Sequence, residues 1–432
     1  MPISDYLAKP IVKSATKAFA NTYDPEKPTF QVIFHENWKS FLTALKERNI
    51  VLPQYMIDEV ERMIACGTLD MGFEVFECPN CHRHHIICYT CKSRFCPSCG
   101  TKMTKARAQK IAKSTLDVNH RHIVFTIDKR LREYFSPSRH PEWLNFLFDA
   151  AKEALFYTFN KQKPVKNSLT SKRKRRRKKK KTKITPGFII TLHTYGRDLK
   201  WNPHVHVLCT EGGMDQNHVY KALKYINYDS LRKSFMKQLL DKMKAALPVN
   251  SKELKDFKRL VNTLYKDDKN GFYVNAPPMK SCKNGKDQVV KYMIRYAGKP
   301  AMAQSRITGY NFHSRTISYF YVDHKSNERV PVNNEPIFRF MLKLIRHIPH
   351  PQFKMIRYYG IYATCDHNHK QAVKIRLKRQ NRYKLNHDQP KHYRLNLIST
   401  FGVDPLLCTC GHYMEFVDSY IPSRFKGGGE PP

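Results

Sequence analysis

Apolar residues along the chain follow two different spacings, which predict a mixture of helices and strands. A helical spacing of apolar positions predicts helices at residues 37–49, 54–67 and 143–160 and within the Lys-rich stretch 221–270. Apolar runs bounded by polar residues predict strands at IVFTI, FIITLHT, HVHVLCT and RTISYFYVDH. The segment 337–363 is basic and rich in aromatic residues, and it is predicted to be a helix followed by a connector. Helices and strands mixed in this way indicate an α+β fold.

The composition indicates a polyanionic partner. The 432 residues include 77 Lys or Arg against 36 Asp or Glu, which gives a formal net charge of +41. Such an excess is typical of proteins that bind nucleic acid or an anionic membrane surface. The sequence shows no run of 18 apolar residues and no apolar stretch near its start, so we expect a soluble cytoplasmic protein that meets nucleic acid and not the membrane. The 25 Phe and 24 Tyr are enough to fill folded cores, which excludes a wholly disordered basic tail.

One segment is basic to an extreme degree. From Lys172 to Lys183, 11 of 12 residues are Lys or Arg. Like charges at this density repel one another, so the insertion 161–185 is predicted to be disordered until it meets a polyanion. We expect it to contact phosphate groups.

Cysteines are concentrated in one block, where six of the 12 lie within 22 residues. They form three Cys-x2-Cys pairs, namely Cys78/Cys81, Cys88/Cys91 and Cys96/Cys99. In a long Lys-rich chain without a signal peptide, this pattern indicates metal and not disulfides. Each pair in a tight turn aims two thiolates at one tetrahedral Zn²⁺.

The outer pairs make the simplest site, so we predict one structural zinc held by Cys78, Cys81, Cys96 and Cys99. Cys88 and Cys91, with the neighbouring His84 and His85, are surplus and could form a second site or replace one ligand. A later pair, Cys408 and Cys410, is separated by a single residue. This departure from the Cys-x2-Cys spacing argues against a zinc site there.

His204 and His206 flank Val205 in a predicted strand. Side chains at positions i and i+2 of a strand lie on the same face, so both imidazoles could bind one metal ion while Val205 is buried on the other face. The alternative is a pair of structural histidines. Imidazole ligands favour zinc or manganese over magnesium.

Tyr292 and Tyr296 are four residues apart in a predicted helix, so their phenols lie on one face. Two phenols beside basic residues suit covalent attack on a phosphodiester. Because the phenol has a pKa of about 10, a metal ion or a cation must assist. Aromatic packing is the alternative, and only the combination with the His pair and the cysteine block favours a catalytic role for the two tyrosines.

The cysteine block, the His-hydrophobe-His strand, the Tyr-x3-Tyr helix and a late basic segment occur in this order. Together they resemble the HUH-class two-tyrosine transposases of rolling-circle insertion sequences, the insertion sequence ninety-one family. The resemblance runs from about Cys66 to Ala363, and its blocks are ECPNC, CKSRFCPSCG, PGFIITLHTYGRDLKWNPHVHVL, YMIRYAGKPAMAQSRI and FKMIRYYG.

The resemblance implies an HUH-type antiparallel sheet with packed helices, in an enzyme that nicks and rejoins single-stranded DNA at insertion-sequence ends. His204 and His206 would hold a divalent metal, Mg²⁺ or Mn²⁺, that polarises the scissile phosphate. Tyr292 and Tyr296 would form 5′-phosphotyrosine links. The metal needs a third ligand, for which we select His193 on the preceding predicted strand, although a Gln, Glu or Asp elsewhere would also serve.

We predict four parts in the chain: a helical region 1–75, a zinc-binding module 76–105, a catalytic domain 115–325 containing the basic insertion, and a basic helical region 330–432. Cationic and aromatic side chains are expected to contact phosphates and stack on bases. These are Lys291, Arg295, Lys299, Arg306, Lys354, Arg357 and Tyr358. The expected partner is single-stranded DNA, and self-association is left open.

Two other functions fit the same residues. A rolling-circle replication initiator or a conjugative relaxase would share the chemistry, but the cysteine block and FKMIRYYG favour the transposase. In a non-enzymatic zinc-containing nucleic-acid-binding protein, the tyrosines would belong to the core and the His pair would be structural. A covalent adduct with single-stranded DNA would separate the enzymes from the binder.

Overall fold

The computed structural model of the protein describes residues 29–161, 184–217, 219–223, 225–276, 300–323, 326–363 and 404–422, together with 289, 291–293, 296 and 398. The basic run 172–183 and the predicted DNA contacts Arg295 and Lys299 lie outside the described residues. Among the helices that are described, none is long and apolar enough to cross a membrane.

The amino-terminal part, described from residue 29 onward, contains three α-helices and a β-hairpin. Helices α1 and α2 span Phe30–Glu47 and Gln54–Ala65, strands β1 and β2 span Phe73–Glu77 and His84–Cys88, and helix α3 spans Pro97–Ser114. Helix α1 begins where the Thr29 side chain accepts a hydrogen bond from the Val32 N–H, which satisfies one of the donors left open at a helix start.

The middle of the chain supplies most of the central sheet and the helices that cover it. Its strands are β3 (His120–Thr126), β4 (Gly187–Tyr195), β5 (Trp201–Thr210) and the short β8 (Val274–Asn275), with a small hairpin of β6 (Gly212–Met214) and β7 (Tyr220–Ala222). Its helices are α4 (Leu144–Lys161), α5 (Tyr228–Ala246) and α6 (Lys252–Asp267).

The last part of the chain forms one sheet of its own and adds a strand to each of two sheets that begin much earlier in the chain. Strands β9 (Ile307–Asn311), β10 (Thr316–Val322) and β11 (Arg329–Pro336) form a separate antiparallel sheet, followed by helix α7 (Ile337–Ile345). Strand β12 (Ile356–Gly360) pairs with β4, and strand β13 (Glu415–Tyr420) pairs with β1. At the end of β12, a Cβ on Gly360 would lie 1.8 Å from the Pro186 carbonyl oxygen, so only glycine fits there.

The central sheet has the strand order β12-β4-β5-β3-β8, and its paired strands are antiparallel. One face is covered by α4, α5 and α6 and forms the largest apolar core. The other face packs against α3 and the segment around residues 289–293. A further core joins α1 and α2 to the β9–β11 sheet and α7. The predicted α+β class with an antiparallel sheet is therefore confirmed.

The carboxy-terminal region differs from the helical region that we predicted. In its described part, helix α7 is followed by two strands, and FKMIRYYG forms an edge strand of the central sheet. Alternate residues of β12 contact opposite faces of the sheet, with Tyr358 in one core and Tyr359 against the other. The predicted helix thus covers only the start of 337–363, and the predicted connector contains a strand, since aromatic residues on both sides of a strand give no clear alternation of apolar and polar positions.

Candidate active site

Strand alternation places four histidines on one face of the central sheet. His204 and His206 lie on β5, His193 on β4 and His122 on β3, and the strand register sets His193 opposite His204. The intervening Val205 and Val207 are fully buried in the core on the other face, as the period of two requires. The predicted orientation of the His pair is thus the one that the sheet adopts.

Three of these imidazoles form a compact cluster. His193, His204 and His206 each offer a nitrogen, and the three nitrogens lie within 4.8 Å of one another. The Nε2 atoms of His204 and His206 are 3.1 Å apart. Two nitrogens bound to one ion at about 2.1 Å lie roughly 3.0–3.4 Å apart, so this spacing fits a shared metal. The structure brings together the three histidines that the sequence analysis selected.

Hydrogen bonds determine which ring nitrogens are left for a metal. His193 Nε2 is 2.6 Å from the Tyr296 carbonyl oxygen, and His204 Nδ1 is 2.6 Å from the Asn202 carbonyl oxygen. A carbonyl only accepts, so each of these nitrogens carries the proton. In the neutral rings this leaves a lone pair on Nδ1 of His193 and on Nε2 of His204. Metal-binding histidines are typically oriented by such a backbone bond on their other nitrogen.

Burial keeps the cluster neutral. Desolvation lowers the pKa of His193 to about 3, and it also lowers the pKa of His204 and, more strongly, that of His206. An imidazole with a depressed pKa carries no proton on one nitrogen at neutral pH, and only that form binds a metal ion.

His122 is a fourth histidine at this site, and the sequence analysis did not select it. Its Nε2 lies 2.9 Å from Nδ1 of His206. If His206 uses Nε2 for a metal, its Nδ1–H can donate to His122, which would orient the His206 ring. The signal was present in the strand His120–Thr126, where His122 occupies the face that the period of two assigns to the histidines of β5.

Tyr296 lies directly over this cluster. Its ring is nearly parallel to the rings of His206 and His122, with centroid distances of 4.3 Å and 4.4 Å. The side chain is half-buried, and its carbonyl is the acceptor that orients His193. Met293 and Tyr296 have the wider turn of a π-helix, a feature often found at functional sites.

Tyr292 has a different environment although its ring is only 5.4 Å from that of Tyr296. Its side chain is 2% exposed, and its hydroxyl donates to the His206 carbonyl oxygen at 2.8 Å, with the Thr191 hydroxyl 3.2 Å away. Burial raises the pKa of the Tyr292 phenol well above its usual range. In this conformation the Tyr292 oxygen contacts the sheet, whereas the Tyr296 ring covers the imidazoles.

Two of the predicted DNA-contacting residues, Arg357 and Tyr358, lie on opposite faces of the sheet. Lys291 and Lys354 are exposed, and Tyr358 packs beside the segment that carries Tyr292 and Tyr296 (the tyrosine segment). Arg357 is on the opposite face, with its guanidinium 4.1 Å from the centre of the Phe148 ring and hydrogen-bonded to Asn145. Arg357 and Tyr358 thus lie on opposite faces because adjacent strand residues point in opposite directions, and the DNA contact expected of Arg357 stays a prediction.

Arg94, in the predicted zinc-binding module 76–105, contributes a positive charge to the site. Burial raises the pKa of Tyr195 and lowers that of His193, and the charge of Arg94 also acts on both groups. Arg306, which we expected to contact DNA, acts on Tyr195 in the same way. Arg94 lies within the CKSRFCPSCG block, where the sequence analysis considered only the cysteines.

One cluster of four cysteines is buried in the core that joins α1 and α2 to the β9–β11 sheet and α7. Cys66, Cys91, Cys96 and Cys99 form a group whose sulfurs lie within 4.8 Å of one another, and the Sγ atoms of Cys66 and Cys99 are 3.5 Å apart. Four thiolates around one zinc at about 2.3 Å are roughly 3.8 Å apart, so the arrangement suits a tetrahedral ion. Hydrogen bonds among the four sulfurs lower the pKa of Cys96 and Cys99, whereas the same network and burial raise the pKa of Cys66 and Cys91.

The structure divides the four predicted zinc ligands between two groups. Cys96 and Cys99 lie with Cys66 and Cys91, whereas Cys78 and Cys81 lie with Cys408 and Cys410. Cys88 belongs to neither group. The Cys-x2-Cys spacing identifies which cysteines share a turn, but the path of the chain decides which turns meet. The sequence analysis did not select Cys66 because no second cysteine lies three positions before or after it.

Comparison with known proteins identifies the class. Residues 33–127 match the family described as "Transposase zinc-binding domain", and residues 187–371 match the family described as "Putative transposase". The first match contains the buried cysteine cluster, and the second contains His193, His204, His206 and both tyrosines. The two matches thus identify a transposase with a zinc-binding domain.

The chain belongs to the insertion-sequence transposase family of IS91 and IS801. It is 30% identical over 322 residues to the transposase for insertion sequence element IS801 of Pseudomonas savastanoi pv. phaseolicola, covering 71% of this chain and 70% of that protein. It is also 22% identical over 315 residues to "Putative transposase y4qJ" of Sinorhizobium fredii, covering 69% and 72% respectively. No solved structure matches the chain.

Proposed function

We propose that this transposase cuts and rejoins single-stranded DNA at the ends of its insertion sequence through a 5′-phosphotyrosine intermediate, with Tyr296 as the first nucleophile. The observation that carries the proposal is the position of the Tyr296 ring, 4.3 Å from His206 and above the cluster of three imidazoles. The nucleophile Tyr296 and the metal-binding histidines then lie on the same side of a rigid sheet.

His193, His204 and His206 would hold the divalent metal, Mg²⁺ or Mn²⁺. The donor set supports this, because burial lowers the pKa of all three rings and two of them are oriented by backbone carbonyls. When bound, the ion polarises the scissile phosphate and stabilises the charge that develops on its oxygens. Three imidazoles favour Mn²⁺ over Mg²⁺ on softness.

The step itself needs no additional reactant. The Tyr296 oxygen attacks phosphorus, the bond from phosphorus to the 3′-oxygen breaks, and the phenol proton is balanced by the proton gained by the 3′-hydroxyl. One phosphoester replaces another, so the bond energy is kept and rejoining requires no ATP. The DNA end then stays attached to the chain until a 3′-hydroxyl reverses the reaction.

Arg94, Arg306 and the exposed Lys291 supply cations near the reacting phosphate. Arg94 and Arg306 both act on Tyr195, which neighbours His193 with 5.2 Å between ring centres. Guanidinium groups bind phosphate oxygens through paired N–H donors. We infer that they hold the DNA backbone, while Tyr358 and Lys354 extend the contact along β12.

Tyr292 is proposed as the second nucleophile, for the transfer that follows. Its hydroxyl is bound to the His206 carbonyl in this conformation, so the tyrosine segment must shift before the Tyr292 oxygen can reach a phosphate. Two tyrosines with different exposure would thus act in a fixed order, Tyr296 before Tyr292.

The test is to map the covalent product. The purified protein is incubated with single-stranded DNA that carries an element end, in the presence of Mn²⁺, and the adduct is digested and sequenced by mass spectrometry. We expect the nucleotide on Tyr296. A stable protein–DNA complex without any covalent adduct would favour the non-enzymatic binder, and an adduct on a tyrosine other than 292 or 296 would overturn the assignment.

The strand to which the cleaved end is joined distinguishes a transposase from a replication initiator or a relaxase with the same chemistry. A transposase should join the cleaved element end to a second, unrelated target strand. An enzyme that only restores its original site would behave as an initiator. Acting on DNA in this way, the protein is proposed to associate with the bacterial nucleoid in the cytoplasm.

Deleting residues 172–183 should weaken DNA binding and reduce its salt dependence. The 11 basic residues of this run release counterions when they contact phosphates, so the slope of log affinity against log salt should become shallower. Titrations at several salt concentrations measure the slope. Cleavage at saturating protein should be retained, because the run supplies no group to the reaction. Loss of cleavage at saturation would mean that the run belongs to the active site.

A further inference from the structure

A second group of four cysteines lies outside the candidate active site, where the amino-terminal hairpin β1–β2 meets the carboxy-terminal strand β13. Cys78 and Cys81 are on the turn that joins β1 to β2, and Cys408 and Cys410 are on a turn that precedes β13. The Sγ atoms of Cys78 and Cys410 are 3.4 Å apart, and those of Cys81 and Cys408 are 3.5 Å apart. All four sulfurs lie within 4.8 Å of one another.

The two turns have matching backbone bonds. In the first, the His82 N–H donates to the Cys78 carbonyl, and in the second the Gly411 N–H donates to the Cys408 carbonyl, both at 2.9 Å. His82 and Gly411 have positive φ angles of 55° and 87°, which let each chain reverse directly after its cysteines. Each turn therefore presents two sulfurs toward the other, although only one has the Cys-x2-Cys spacing.

The apolar core beneath these turns is too small to hold them together. The three-stranded sheet β13-β1-β2 buries only Phe73, Val75 and Ile86 in its own cluster. Small sheets with so little buried apolar surface usually need a metal or disulfides. At these turns Cys78 and Cys408 are buried, whereas Cys81 and Cys410 are exposed.

We propose that Cys78, Cys81, Cys408 and Cys410 bind a second structural zinc ion, which attaches the carboxy-terminal strand β13 to the amino-terminal hairpin. Four sulfurs from two turns are the usual donor set of a closed structural zinc site. Two separate disulfides would require sulfurs at about 2.05 Å, whereas here each sulfur has more than one sulfur neighbour within reach. Cys408 and Cys410 lie beyond both matched family regions, so neither match assigns this site.

This zinc would connect parts of the chain that are remote in sequence. Cys81 and Cys408 are 327 residues apart, and residues 364–403 between β12 and the second turn contain nine Lys or Arg and two Asp. The metal would anchor the far end of this basic segment, whose near end is anchored by β12 in the central sheet. The segment would then be tethered to the protein at both ends.

The number of thiolate sites can be measured with cobalt in place of zinc. Full-length protein reconstituted with Co²⁺ should show thiolate-to-cobalt charge-transfer absorption from two Cys₄ sites, to which the imidazole cluster adds nothing. Cys408→Ser with Cys410→Ser should reduce this absorption by about half and remove one zinc per chain in native mass spectrometry. Cys78→Ser with Cys81→Ser should give the same loss, and Cys88→Ser, outside both groups, should lose none.

The strand β13 supplies a second readout. Without its zinc, the amides of residues 415–420 should exchange faster with deuterium, while those of β4 and β5 keep their protection. Cys410→His keeps four ligands and should restore both zinc and protection. A double serine variant with undiminished cobalt absorption would overturn the proposal. So would wild-type protein in which four thiols resist alkylation after denaturation without reductant, since that result indicates disulfides. Neither readout depends on DNA cleavage.

Discussion

Replacing Tyr296 by phenylalanine should abolish formation of the first covalent protein–DNA complex. The substitution keeps the ring that packs on His206 and His122 and removes only the attacking oxygen. Loss of a nucleophile that acts with a preformed site reduces turnover by a factor on the order of 10⁴ or more. The measurement is the rate of adduct formation on single-stranded DNA at saturating Mn²⁺, followed by gel shift after denaturation.

Tyr292→Phe is the matched control, because it changes the same atom on the neighbouring turn. It removes the hydroxyl that donates to the His206 carbonyl, so thermal unfolding should show a loss of about 1 kcal/mol. The first adduct should still form on Tyr296, whereas joining to a second strand should fail. The double variant should form no adduct. An adduct that persists in Tyr296→Phe but disappears in Tyr292→Phe would reverse the proposed order.

Replacing His206 by alanine should eliminate metal-dependent cleavage while leaving DNA binding nearly intact. His206 is the central imidazole of the cluster, with His204 on one side and His122 on the other. Removing a group that only orients a metal ligand costs about 10–100-fold in metal affinity or activity, so removal of a ligand should cost at least as much. A neutral buried ring adds little to binding that rests on basic side chains. Cleavage rate and binding affinity, measured in parallel over a Mn²⁺ titration, separate the two effects.

Two histidine controls make this result specific. His313→Ala removes an exposed imidazole outside the cluster and should leave cleavage unchanged. His122→Ala should have an intermediate effect, because His122 would position His206 without binding the metal itself, and excess Mn²⁺ should restore part of the activity. Equal loss of DNA binding and cleavage in His206→Ala would instead indicate a structural role for the cluster.

Much of the site could be predicted because strand alternation is a local property. HVHVLCT alone implies that His204 and His206 share a face, and FIITLHT places His193 on a neighbouring strand of the same pattern. The helices and strands of residues 29–276 were largely visible for the same reason. The pairing register that sets His193 opposite His204 follows from the fold, and the sequence analysis could only select His193 among several candidates.

The unequal environments of the two tyrosines could not be predicted. A spacing of four residues indicates one helix face, but it says nothing about how deep each ring lies. The Tyr292 hydroxyl finds a carbonyl of β5 because the segment packs directly on the sheet. Likewise, the charge of Arg94 acts on His193 and Tyr195 only because the folded chain brings residues 91–100 near β4.

The sequence by itself determined the α+β class, the basic character and the presence of a zinc-binding domain, and it selected the histidines and tyrosines that we propose as metal ligands and nucleophiles, since each depends on composition or on spacings of a few residues. Only the tertiary structure decided which cysteines meet. Cys66 completes the buried group from 25 residues before Cys91, and Cys408 joins Cys81 across 327 residues. A tetrahedral site requires four sulfurs close in space, and separation along the chain places no limit on which turns supply them.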